Sequence, residues 1–134
     1  MEVGTLHHVA MAVEDLDEAV ETYQRLFGAE VETRDFIEGQ GVEAVYLRLG
    51  DRRVELLAAL GEDTPVGRFL ARRGPGLHHV AFEVDDVREA MRELAEGGAT
   101  VIDVEPRPGL GGGLVSFVHP ESVHGVLVEV VERG

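Results

Sequence analysis

Four side chains in this 134-residue sequence have the types and placements from which a metal-dependent proton transfer could be built: His8, Glu55, His79 and Glu129. Two imidazoles and two carboxylates form a donor set whose negative charges balance a divalent ion. Such donors suit manganese, cobalt, nickel, zinc or iron rather than a thiolate-selected metal. Four protein donors on an octahedral ion would leave two positions, where a substrate with two oxygens could chelate while the ion acts as a Lewis acid on a developing enolate. Each glutamate interrupts an apolar strand, Glu55 within Val54-Glu-Leu-Leu-Ala and Glu129 within Val126-Leu-Val-Glu-Val-Val. A buried carboxylate needs a cation, a metal or hydrogen-bond donors to offset its desolvation.

Blander readings stand beside this one. A lone strand histidine is more often a satisfied core or surface group than a ligand, and Arg53 is a rival partner for Glu55. Repetition is what favours ligation. Shifting the sequence by 71 positions lays residues 5–20 on residues 76–91, and nine of those sixteen pairs are identical, including both histidines of each doublet. The chain is therefore a duplicated module, and duplication brings two His and two Glu to equivalent places.

The elements that must position these groups follow from the periodicity. Val9, Met11 and Val13 alternate with His8, Ala10 and Ala12, and Val80, Phe82 and Val84 alternate with His79, Ala81 and Glu83. Period two marks a strand in each copy, with one face for the core and one for histidine. His7 and His78 fall on the opposite face and read as structural. The period then changes to 3.6: Asp15 caps a helix through Leu16, Ala19, Val20, Tyr23, Leu26 and Phe27, stopped by Gly28, and Asp86 to Gly97 repeats the scheme. Strand-like runs follow at residues 31–37, 42–49 and 53–60 in the first copy and 100–105, 113–118 and 125–131 in the second, separated by turn signals. Between the copies, Thr64 and Pro65 open a short linker helix through Val66, Phe69 and Leu70. The expected fold is α+β, a single domain over residues 1–134 made of two βαβββ modules at about 5–60 and 76–132.

Composition narrows the partners. A net charge of −14 repels nucleic acid and anionic membrane surfaces. No apolar run approaches the ~18 residues of a membrane span. The first residues lack a basic region and an apolar stretch, so no secretion signal is expected. With no cysteine, thiolate chemistry and disulfides are excluded, and a cytoplasmic location is the default. All 12 basic residues are arginine, which reads as a GC-rich coding bias. The glycine-rich run at residues 109–113 is not followed by Gly-Lys-Ser/Thr, so it reads as a hairpin connection rather than a phosphate loop. His119 and His124 lie at turns and are assigned no chemistry.

Several segments together resemble the methylmalonyl-CoA epimerase branch of the vicinal oxygen chelate superfamily, which also holds the glyoxalases, bleomycin resistance proteins and dioxygenases. They are Leu6-His-His-Val-Ala-Met-Ala-Val, Val54-Glu-Leu-Leu, Asp63-Thr-Pro-Val-Gly-Arg-Phe-Leu, Gly76-Leu-His-His-Val-Ala-Phe-Glu-Val-Asp-Asp and, after His119-Pro, Gly125-Val-Leu-Val-Glu. The resemblance covers nearly the whole chain. It implies the vicinal oxygen chelate fold, with paired βαβββ modules forming an eight-stranded open cleft, and a homodimer. It implies His8, Glu55, His79 and Glu129 as metal ligands, with cobalt as the activating ion and manganese, nickel, zinc or magnesium as alternatives.

The implied reaction interconverts the C2 epimers of an acyl-CoA, methylmalonyl-CoA, through an enolate, with a base on one face of the carbon and an acid on the other. Glu129 is the candidate for one of these roles. Glu43 is the candidate for the other, because some relatives carry a glutamate near that place. Aligning on Gln40-Gly41 leaves Glu43 one residue out of register, which in a strand reverses the face. Arg107, or the group Arg68, Arg72 and Arg73, would face the CoA phosphates. A glyoxalase I type lyase uses the same ligand positions, and a metal-free binding or resistance protein uses the same scaffold. An extradiol dioxygenase would need only two His and one Glu around iron, so a fourth carboxylate argues against it.

Overall fold

A computed structural model describes residues 1–132. The elements run β1 (Thr5–Ala12), α1 (Leu16–Phe27), β2 (Glu30–Ile37), β3 (Val42–Leu49), β4 (Arg52–Ala59), α2 (Pro65–Arg73), β5 (Gly76–Val84), α3 (Val87–Glu96), β6 (Arg107–Pro108), β7 (Leu114–Val118) and β8 (Leu127–Glu132). This is the βαβββ order twice over, joined by α2, and the architecture is α+β. No helix among the described residues is long and apolar enough to cross a membrane.

Packing divides the chain into two units, Val9–His78 and Met1–His8 with the residues from His79 onward. In the first unit the strand order is β2-β3-β4-β1. β4 runs parallel to β1 with Glu55 opposite Ala10, and antiparallel to β3 with Glu55 opposite Tyr46. Side chains therefore sort by alternation: Val45, Leu47 and Leu56 turn to one face and pack with Leu16 and Val20 of α1 into a core. Asp15 caps α1 by accepting from the Glu18 N–H at 3.0 Å. Thr64 does the same for α2, accepting from the Gly67 N–H at 3.0 Å.

In the second unit the first residues of β1 are followed by β5, β8, β7 and β6 in order across the sheet. β8 runs parallel to β5 with Glu129 opposite Ala81. Val84, Val87, Ala90 and Val130 form the core on the α3 side, while Ala81, Val115, Phe117 and Val131 cluster on the opposite face. Asp86 caps α3 through the Glu89 N–H at 3.1 Å.

One expected strand is largely missing. Residues 100–105 form only an isolated bridge, Val101 with Val118, and the regular pairing is confined to β6. Asp103 accounts for the difference. Its carboxylate accepts from the Phe117 N–H at 2.8 Å and holds Arg107 Nε at 3.1 Å, so a side chain takes the place of a main-chain ladder.

Candidate metal centre

His8 and His79 occupy matching positions on β1 and β5, on the face where Ala10 and Ala81 have no exposed surface. His8, His79 and Glu129 all belong to the second unit and are 2, 2 and 4% exposed. A ligand atom from each lies within 4.8 Å of the others. The Nε2 atoms of His8 and His79 are 3.2 Å apart, and Glu129 Oε1 is 3.2 Å from His8 Nε2 and 3.6 Å from His79 Nε2. Despite these short approaches, Glu129 Oε1 makes no hydrogen bond of acceptable alignment.

A buried carboxylate oxygen left without a well-aligned donor costs about 1–3 kcal/mol or more, and the arrangement that resolves this cost is a cation among the three atoms. With bond lengths near ~2.1 Å, adjacent donors on one ion stand ~3.0 Å apart at octahedral angles and ~3.4 Å at tetrahedral ones. The observed separations are of that size, and two imidazoles with one carboxylate are donors that zinc, cobalt, nickel and manganese accept. The three residues fit a divalent ion. Burial pushes the Glu129 carboxyl up, but the imidazoles of His79 and His8 outweigh it and hold the group below its ordinary value. Glu129 is therefore an anion at neutral pH.

Glu55 belongs to the first unit, where it is 4% exposed on β4. The repeat gives it the same register as Glu129: Glu55 stands opposite Ala10, two residues beyond His8, as Glu129 stands opposite Ala81, two residues beyond His79. Arg53, its rival partner by sequence, binds Glu32 at 3.0 Å and lies over the Tyr46 ring.

Glu43 is placed where it cannot share a face with Glu55. It lies opposite Ala58 in β3, one residue out of phase with the Tyr46–Glu55 pair, and its carboxylate accepts from Arg34 Nε at 3.0 Å. Arg34 also holds Asp17 of α1 at 2.7 Å. The one-residue offset thus turns Glu43 to the helix-covered side, which removes the geometric basis for its acid–base role. Of the arginines considered for phosphate, Arg68 is tied to Asp63 at 2.8 Å, Arg73 lies over Phe69, and Arg107 is held by Asp103.

Two contacts escaped the sequence reading. Phe117, opposite Glu129 on β7, packs its ring against His79 at 5.4 Å, nearly perpendicular. The period-two pattern places it on the ligand face, and that signal could have found it. His7 Nδ1 lies 2.8 Å from His8 Nδ1 despite the strand alternation that predicts opposite faces. Nothing in the pattern announces that contact.

Residues 7–117 match the glyoxalase/bleomycin resistance protein/dioxygenase superfamily. The chain is 39% identical to an ethylmalonyl-CoA/methylmalonyl-CoA epimerase of Cereibacter sphaeroides, covering 96% of this chain and 97% of that one. It is 40% identical to the mitochondrial methylmalonyl-CoA epimerase of Bos taurus, covering 96% and 74%. Among solved structures, a methylmalonyl-CoA epimerase variant of Streptomyces coelicolor in complex with 2-nitronate-propionyl-CoA superposes with a TM-score of 0.96 at 35% identity, covering 99% of each chain.

Proposed function

This chain belongs to the glyoxalase/bleomycin resistance protein/dioxygenase superfamily, and from that premise we propose that it is a methylmalonyl-CoA epimerase that exchanges the proton at C2 of its substrate with the help of a divalent ion. The buried His8–His79–Glu129 cluster is the observation that carries this reading. Relatives named for the same activity over nearly the full chain support it, as does the likeness to an epimerase holding an acyl-CoA ligand.

Glu55 is the proposed fourth donor, because the repeat gives it the register of Glu129 and a second carboxylate would balance the charge of a divalent ion. When bound, the ion supplies Lewis acidity toward the oxygens flanking C2 and so lowers the cost of removing the proton between them. The side chains do the rest. His8 and His79 present Nε2 toward a common point and exclude water by their burial. Phe117 limits the tilt of the His79 ring. Glu129, ionised because its pKa is held down, is in the form that accepts a proton and is the proposed base on one face. We take cobalt as the activating ion and a homodimer as the working assembly, on the family resemblance.

The test is isotope exchange. Purified protein stripped of metal, reloaded with cobalt and incubated with methylmalonyl-CoA in deuterated water is expected to wash deuterium into C2. Incorporation that is no faster with metal than without, or no faster than background, rejects the proposal.

A further inference from the structure

His7 has no part in the ligand set, yet its ring is set against one member of that set. The two adjacent imidazoles meet edge to edge, with Nδ1 of His7 2.8 Å from Nδ1 of His8 and ring centroids 5.1 Å apart. At that separation one nitrogen carries a proton and the other accepts it. The far side of the His8 ring is already committed, since its Nε2 lies 3.2 Å from both His79 Nε2 and Glu129 Oε1.

A neutral imidazole has one N–H, and the neighbour of one nitrogen decides what the other can do. We propose that His7 is a positioning residue that fixes the tautomer of His8, accepting its Nδ1–H so that Nε2 offers a lone pair to the ion. This rests on the reading of the His8–His79–Glu129 cluster as a metal centre.

In the second copy His78 packs edge-on against Phe69 of α2 at 4.9 Å.

Two substitutions separate positioning from packing. His7→Phe keeps a ring but removes the acceptor, and His7→Asn restores an acceptor on a shorter side chain. Zinc affinity measured by competition with a chromophoric chelator is expected to fall about ten- to a hundredfold in His7→Phe, the usual range for losing such a partner, and to recover most of the way in His7→Asn. Circular dichroism of the metal-free variants checks that each is folded before zinc is added. Long-range proton–nitrogen NMR of the zinc-loaded wild type should show His8 protonated at Nδ1. Equal zinc affinity in wild type and His7→Phe, or a His8 proton at Nε2 in the loaded protein, overturns the role of His7 and leaves the metal centre standing. Absence of zinc binding in the wild type itself overturns the metal centre and takes the His7 proposal with it.

Discussion

Replacing Gly67 by alanine should destabilise the protein, although alanine is the better helix former. Gly67 is buried near the start of α2, and its N–H is the group that Thr64 caps. A Cβ at this position would stand 2.2 Å from the Gly61 carbonyl oxygen, 2.7 Å from the Glu62 oxygen and 2.9 Å from the Glu62 carbonyl carbon. Ordinary carbon–oxygen contacts are ~3.3 Å or longer, so the worst overlap is about 1 Å. All three atoms are backbone. No rotamer change can relieve the clash, and either the first turn of α2 or the segment after β4 must move.

Overpacking of this kind costs ~1–3 kcal/mol, with rigid neighbours at the upper end, while the gain in helix propensity is ~1 kcal/mol. The net expectation is a loss of about 2 kcal/mol, or roughly 8 °C in melting temperature for a chain of this size. Gly97→Ala is the control. Gly97 has a negative φ, and its added Cβ would meet Glu93 O at 3.4 Å and Leu94 O at 3.6 Å, which is close to normal contact. That variant should match the wild type or gain a few tenths of a kcal/mol. Urea titrations followed by circular dichroism give both values from the midpoint at constant slope. A Gly67→Ala protein within ~0.5 kcal/mol of wild type, or more stable, refutes the reasoning, because the propensity term would then have prevailed over the contact.

Two further outcomes bear on the site and on pH. Glu129→Gln keeps the shape of the side chain but removes its charge and basicity, so deuterium wash-in should fall by about 10²–10⁴-fold and cobalt affinity should drop in a chelator competition. A variant that keeps both would show that Glu129 is neither ligand nor base. Glu32 is partly desolvated, which alone would raise its pKa, but Arg53 and Arg48 outweigh this and hold it below the ordinary 4.5. A lowered carboxyl stabilises the folded state above its unfolded pKa, and that contribution fades as pH falls below about 4.5 through the folded value. Glu32→Gln should therefore melt below wild type at pH 7, with the gap closing at pH 3. An equal gap at both pH values contradicts the assignment.

How much of this was legible in the sequence depends on what each feature requires. The two strand–helix passages could be read because alternation, an aspartate cap and a changed period all agreed at Val9–Phe27 and again 71 residues later. Alternation put the two histidines of each doublet on opposite faces, and the family resemblance pointed to the second of each. Residues 100–105 misled because their composition suits a strand while the decisive interaction, Asp103 on the Phe117 N–H, spans 14 positions and has no local signature. Glu43 failed for the reason that makes strands unforgiving, since a shift of one residue exchanges the faces and moved it to Arg34 and the α1 side. The His7–His8 contact was hidden because alternation fixes where Cβ atoms point and leaves two neighbouring rings free to turn their edges together.

The repeat also shows how little sequence is needed to build such a centre. A parallel partner strand sets Glu129 opposite Ala81, and Ala81 is two residues from His79 on the same face. Groups related in this way are diagonal neighbours ~7–8 Å apart at Cα, within reach of an imidazole on one side and a long carboxylate on the other. The alanine between them is as important as the ligands. With no exposed surface and almost no side chain, it leaves open the volume into which both groups lean, and Glu129 Oε1 reaches 3.6 Å from His79 and 3.2 Å from His8. A larger side chain at that position would fill the volume and keep the donors apart. The identity of Ala10 and Ala81 across the two copies thus accompanies the identity of His8 and His79, and in the second copy Ala81, two residues beyond His79, is the position opposite Glu129.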